Sequence, residues 1–145
     1  MTMAIRVLGY ALAAFMAFMA IQKFIGGVPI FQIIETNAAG QFGLDLPWIE
    51  PWFRYVTGAL ELVAAVFLVL GRRLAGGGLS LLVTAGAIIA HLTVLGVSTP
   101  MSGEPGAVES PMLFIMALAA FAASLAVTLG AARAARAAPQ ANAES

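Results

Sequence analysis

The sequence has no cysteine and a single histidine in 145 residues. The first absence excludes disulfide scaffolding, thiolate catalysis and cysteine-held metal or iron–sulfur sites within this polypeptide. The second argues against a metal centre, because transition-metal sites draw on several His, Cys or carboxylate ligands. No metal is expected, and haem held between two histidines would need a second subunit. Charge is scarce too: 10% of the residues are Asp, Glu, Lys or Arg, against about 25% in a soluble domain. So few charges cannot cover a surface facing water. Seven basic and seven acidic residues cancel, which leaves no global field for a nucleic acid or other polyanion, and no nucleic-acid partner is expected.

Apolar residues make up 61% of the chain. They gather in four runs, Ala4 to Ile25, Trp52 to Leu70, Leu74 to Val97 and Pro111 to Ala132. Each is near the roughly 20 residues that cross a hydrocarbon core. Helices this long are seldom apolar on every side in a soluble core, and in lipid a helix is the one single segment that satisfies its own backbone. The expected fold is all-α, a transmembrane four-helix bundle over residues 1–136, followed by a frayed or disordered tail over 137–145.

Basic residues sort by loop. Arg6 precedes the first run, Arg72 and Arg73 join the second to the third, and Arg133 and Arg136 follow the fourth. The opposite side carries Glu35, Asp45, Glu50, Glu104 and Glu109, with Lys23 and Arg54 as its cations near the membrane edge. The positive-inside rule makes the arginine side cytoplasmic, so both termini are expected there, in an inner or plasma membrane. A cleaved secretory signal is the rival reading of the start. It fits less well, since the apolar run continues to Lys23 without a small-x-small cleavage site.

Between the first two runs lies a long outer segment, 26–51, in which Val28 to Ile34 is expected along the membrane interface. Trp48 and Trp52 suit an aromatic anchor at headgroup level. The second outer loop, Ser98 to Ser110, is rich in Pro, Gly and Ser and is expected to be irregular. The turn at Gly71-Arg72-Arg73 is short enough to make the second and third spans antiparallel neighbours.

Membrane helices pack through small residues and occasional polar groups. Helical spacing puts Arg6, Gly9, Ala13, Met16, Ala20 and Lys23 on one face of the first span, and Arg54, Gly58, Glu61 and Ala65 on one face of the second. Gly77, Ser80, Thr84, Ala87 and His91 form the stripe of the third span, and Ala117, Ala120, Ser124 and Thr128 that of the fourth. The run Ala75 to Gly78 permits close approach, either within the chain or in a homo-oligomer.

Applying the topology sets the polar residues at related depths. Glu61 is nine residues from Trp52 and His91 six from Val97, hence ~13 Å and ~9 Å below the outer end. Lys23 closes the first span there, Arg54 begins the second, and Glu109 stands just before the fourth. A carboxylate at this depth needs a cation or a proton. The ligand-binding or proton-handling candidates are therefore Lys23, Arg54, Glu61, His91 and Glu109. Each also has a structural explanation. Glu61 can fix helix register through an ion pair, His91 can bond across the bundle, Lys23 and Arg54 can snorkel, and Glu109 can complement a helix dipole.

Taken in order, Arg6-x-x-Gly9, Lys23, Gly58-Ala-Leu-Glu61-Leu, Leu70-Gly71-Arg72-Arg73, the Ala87 to His91 stretch and Glu109 resemble DoxX-like membrane proteins over nearly the whole chain. The resemblance implies a four-helix membrane bundle linked to respiratory or oxidative-stress functions, including quinone-coupled thiosulfate oxidation and membrane oxidoreductase complexes. It carries a polar site over to Lys23, Glu61, His91 and Glu109. Related four-helix proteins of thiol oxidation depend on cysteine pairs, and this sequence departs from them by having none.

The expected function is a membrane subunit associated with a redox partner protein, with quinone or another small amphiphile as the candidate ligand. In that model Lys23 or Arg54 steadies the headgroup while Glu61 and His91 relay protons. The alternative is a noncatalytic scaffold or assembly factor whose polar cluster is structural. A small transporter fits less well, because the second pair of spans does not repeat the first and no helix looks broken.

Overall fold

The computed structural model describes residues 2–26, 29–100 and 107–143. Five α-helices carry most of it: α1 (Met3–Ile25), α2 (Ile30–Phe42), α3 (Arg54–Val69), α4 (Arg73–Ala90) and α5 (Met112–Ala143). A wide turn at Ile49–Phe53 leads into α3, and α4 runs on through a π turn at His91–Leu95. Four stretches are long and apolar enough to cross a membrane, Met3–Ile25, Ile49–Val69, Arg73–Leu95 and Met112–Ala137, in close register with the four apolar runs. At most 33% of the most apolar window of each is buried within the protein. The outward faces carry exposed Phe18, Val66, Leu82, Ile89 and Ile115. A surface so apolar is ill suited to water, and a bilayer is the surrounding it fits.

Packing follows from the small residues. α1 lies against α3 and α5, and α4 against α3 and α5, so the four long helices neighbour one another in a closed cycle. Gly71 reverses the chain between α3 and α4 with φ 77°, a conformation that favours glycine. Its N–H donates to the Leu68 carbonyl, and that of Arg72 to the Phe67 carbonyl, which satisfies the end of α3. A Cβ on Gly76 would sit 2.9 Å from the Ala64 carbonyl oxygen and the Leu68 amide nitrogen, and one on Gly77 would sit 2.6 Å from Thr128 Oγ1. These two glycines therefore serve contacts inside the chain, α4 on α3 and α4 on α5. Leu12, Ala13, Met16, Ala65, Leu68, Ala120 and Val127 form the core.

The inward stripes agree with this packing at most positions. Gly9, Ala13, Met16, Ala20 and Lys23 are buried in α1, Arg54, Gly58, Glu61 and Ala65 in α3, Gly77, Ser80, Thr84 and His91 along α4 and its π turn, and Ala117, Ala120 and Ser124 in α5. Arg6 and Ala87 are exposed instead, and Thr128 is half-buried beside buried Val127. Arg6 lies in the first turn, at the rim of the packed region. Ala87 falls about 60° off the line from Thr84 to His91, because three helical residues turn about 300°.

Three segments lie outside the four apolar runs. The interfacial segment is a full helix, α2, whose N-terminal neighbour is Pro29 and whose end is fixed by Gly43 at φ 65°, its N–H donating to the Ala39 carbonyl. Val28 lies outside the described residues. The second outer loop contains an antiparallel pair, β1 (Thr99–Pro100) and β2 (Glu109–Ser110), with Thr99 opposite Ser110. Residues 101–106 between them, Glu104 included, lie outside the described ones. Finally, α5 continues as helix to Ala143, which the strong helix propensity of its alanines favours.

Candidate functional site

α2 packs against both the Ile49–Phe53 turn and the His91–Leu95 π turn, and so lies across the ends of α3 and α4. Asn37 Nδ2 donates to the Val94 carbonyl at 2.9 Å, and Phe31 meets Phe53 edge to face. Next to this end of the bundle lie Lys23, in the last turn of α1, and Arg54, at the start of α3.

Lys23 and Glu61 form the centre. Lys23 Nζ donates to both Glu61 carboxylate oxygens at 2.8 Å, and the two residues are only 7% and 5% exposed. The pair joins the last turn of α1 to the middle of α3. Gly58, one turn from Glu61, makes the crossing close: a Cβ there would come within 3.2 Å of Lys23 Cβ and of the Phe24 ring. A buried ion pair with bidentate geometry is strongly attractive, and removing either member leaves an uncompensated charge. Glu61 takes two of the three ammonium N–H bonds, and among the described residues Lys23 Nζ donates to no other acceptor.

Arg54 is engaged on three sides. Its Nε donates to both Glu50 carboxylate oxygens, at 2.8 and 3.0 Å, its Nη1 donates to the Lys23 main-chain carbonyl, and its guanidinium lies 4.6 Å from the Tyr55 ring centre. The Lys23 carbonyl belongs to the last turn of α1, where carbonyls lack partners inside the helix. Arg54 thus caps α1 from α3 rather than snorkelling to the surface. The Tyr55 ring stacks in turn on Phe24, centroids 6.0 Å apart.

His91 stands apart from this network. Its Nδ1 lies 2.8 Å from the Gly96 carbonyl oxygen, which can only accept, so Nδ1 carries a proton and donates it to that oxygen. The ring packs against Phe114 at 5.4 Å. The π turn that begins at His91 widens the helix here, a distortion that recurs at functional positions. Glu109 is not brought into the cluster: it is exposed and sits in β2 opposite Pro100. Nor does it cap α5, since Ser110 Oγ accepts the Met112 N–H at 3.2 Å.

Of the five candidates, Lys23, Glu61 and Arg54 are therefore joined in one network, His91 is buried with its own bond to Gly96, and Glu109 is separate. Glu50 was missed as the partner of Arg54. The available signal was its position four residues before Arg54, although Glu50 has extended backbone (φ −110°, ψ 124°) just before α3 and the pair is not one within a helix. Asn37 was missed because nothing in a short polar segment announces which carbonyl it will meet. Among the described residues no group of three or more His, Cys, Asp or Glu side chains is arranged to hold a metal. Comparison with family models, with curated proteins and with solved structures gives no match to this chain.

Proposed function

We propose that this chain is a DoxX-like multi-pass membrane protein, a transmembrane four-helix bundle with both ends cytoplasmic, which serves as a membrane subunit of a redox complex and takes a quinone-like amphiphile beside Lys23 and Glu61. The observation that carries the reading is the buried Lys23–Glu61 pair, held at 2.8 Å. A quinone headgroup needs a donor for its carbonyl oxygen and a group that exchanges protons. The free ammonium N–H of Lys23 supplies the first and the Glu61 carboxylate the second. Phe24, Tyr55, Phe31 and Phe53 provide aromatic surface near the network. Electron transfer is assigned to the partner, because a chain without cysteine has no thiol couple of its own. In the purified protein, Glu61→Gln is expected to weaken binding of a short-chain ubiquinone about tenfold, the loss of one charge-assisted contact; unchanged binding removes Glu61 from this role.

A second reading, a noncatalytic scaffold or assembly factor, is favoured by one specific feature. Both Glu61 oxygens are taken by Lys23, and Arg54 is held by Glu50 and a carbonyl. The double variant Lys23→Met with Glu61→Leu separates the readings, since an apolar pair of similar volume can replace a buried ion pair without loss of stability. A quinone site loses quinone binding in the still-folded double variant. A scaffold keeps its partner association there, and its wild-type form binds no quinone.

A further inference from the structure

Five of the seven basic residues, Arg6, Arg72, Arg73, Arg133 and Arg136, lie at the helix ends opposite Lys23 and Arg54. Among the described residues no Asp or Glu accompanies them; Glu35, Asp45, Glu50, Glu61 and Glu109 all belong to the other half of the molecule. Two of these arginines lie over aromatic rings, Arg72 over Phe67 at 5.9 Å and Arg73 over Tyr10 at 5.2 Å. Arg133 has a different setting. It lines a cavity of about 520 Å³ between the start of α1 and the second half of α5, together with Thr2, Ile5, Ala126, Leu129 and Gly130.

The cavity is graded along its length. Ala126 and Leu129 form an apolar floor on the side toward the middle of α5, and Ile5 closes it where Gly130 lets α1 approach, a Cβ there meeting Ile5 at 3.0 Å. Thr2, whose hydroxyl makes no cap bond to α1, and the exposed Arg133 stand at the helix-end rim. An acyl chain fits such a floor, and a guanidinium fork binds phosphate oxygens two at a time. The surrounding positive field, with no described carboxylate to oppose it, selects a negative headgroup.

We infer that the groove between α1 and α5 is a binding site for one anionic glycerophospholipid, its phosphate on Arg133 and Thr2 and an acyl chain along Ile5, Ala126 and Leu129. The inference rests on the membrane-spanning reading. It is independent of the quinone site, which lies at the opposite helix ends.

The test uses the full chain in a neutral maltoside detergent, titrated with dioctanoyl phosphatidylglycerol, dioctanoyl phosphatidylcholine or inorganic phosphate, and read by thermal unfolding and calorimetry. Phosphatidylglycerol is expected to bind saturably and raise the Tm, while the other two leave it unchanged. Arg133→Gln should weaken phosphatidylglycerol about tenfold or more, the loss of a charge-assisted contact. Arg136→Gln removes the same charge outside the groove lining and should change affinity less than about twofold, with screening by salt. Both side chains are exposed, so both variants should keep the lipid-free Tm. Ala126→Phe, which fills the floor, should abolish binding while Arg133 is intact. Equal weakening by the two arginine variants would reduce the effect to diffuse surface charge and overturn the site. Equal binding of phosphatidylcholine, or an equal response to inorganic phosphate, would overturn it as well.

Discussion

The α1–α3 seam and the α4–α5 seam hold their helices together by opposite means. Between α1 and α3 the link is directional and charged: Lys23 on Glu61, and Arg54 on the Lys23 carbonyl. Between α4 and α5 it is steric, with Gly77 resting on Thr128. Hydroxyls there serve their own helices, Thr84 donating to the Ser80 carbonyl, Ser124 to that of Ala120, and Thr128 to that of Ser124. Lipid gives apolar helices no reason to prefer each other over acyl chains, so either close backbone approach or a shared polar contact must supply the preference. This chain joins α4 to α5 by close packing, and joins α1 to α3 by an ion pair between the last turn of one and the middle of the other.

That contrast can be broken at several points. The largest effect is expected from Lys23→Met alone, which strands the Glu61 carboxylate and should cost about 3–5 kcal/mol. Reversible unfolding in mixed micelles reads it, and a loss below about 1 kcal/mol, the size of an exposed pair, would mean that the pair is solvated rather than buried. Next comes Gly76→Ala, whose new Cβ meets main-chain atoms of Ala64 and Leu68; overpacking of this kind costs about 1–3 kcal/mol. Gly78→Ala is its control. Nothing lies within 4 Å of a Cβ there, so the better helix propensity of alanine should leave stability unchanged or raised by about 0.5–1 kcal/mol. If the two variants behave alike, the α3–α4 contact is looser than described. Asn37→Ala should have the smallest effect, about 1 kcal/mol, localised to α2. Faster amide exchange over residues 30–42 with an unchanged global Tm is the expected signature.

Much of this arrangement was legible in the sequence, and the rest was hidden for identifiable reasons. The four apolar stretches declare themselves by length. The three-and-four spacing of small residues found the buried faces, including Lys23, Glu61 and Arg54, because a helix repeats its geometry regardless of what it meets. What spacing could not give is the partner of each polar group. In the sequence Glu50 is one more outer-side acid and Arg54 a cation free either to steady a headgroup or to snorkel, although the two pair four residues apart. Glu109 was read as a dipole partner of α5, whereas Ser110 takes that place and β2 turns Glu109 outward. The 13 residues of α2 are too few for a spanning signal, and only Pro29 and Gly43 mark its ends. His91 was correctly expected to be buried, but its bond to Gly96 depends on a π turn that no periodicity announces.

The proposed topology has four helices crossing a bilayer, with Lys23, Arg54, Glu61 and His91 turned inside the bundle and both ends on one side. A chain without cysteine is ready for single-cysteine labelling. Gln41→Cys on α2, Ala135→Cys near the end of α5 and Leu82→Cys on the outward face of α4 are all exposed positions. With a membrane-impermeant maleimide on intact spheroplasts, Gln41→Cys should label at once, Ala135→Cys only after permeabilisation, and Leu82→Cys only after the membrane is dissolved. Labelling of Leu82→Cys in the intact membrane, or of Gln41→Cys and Ala135→Cys from the same side, would contradict the account.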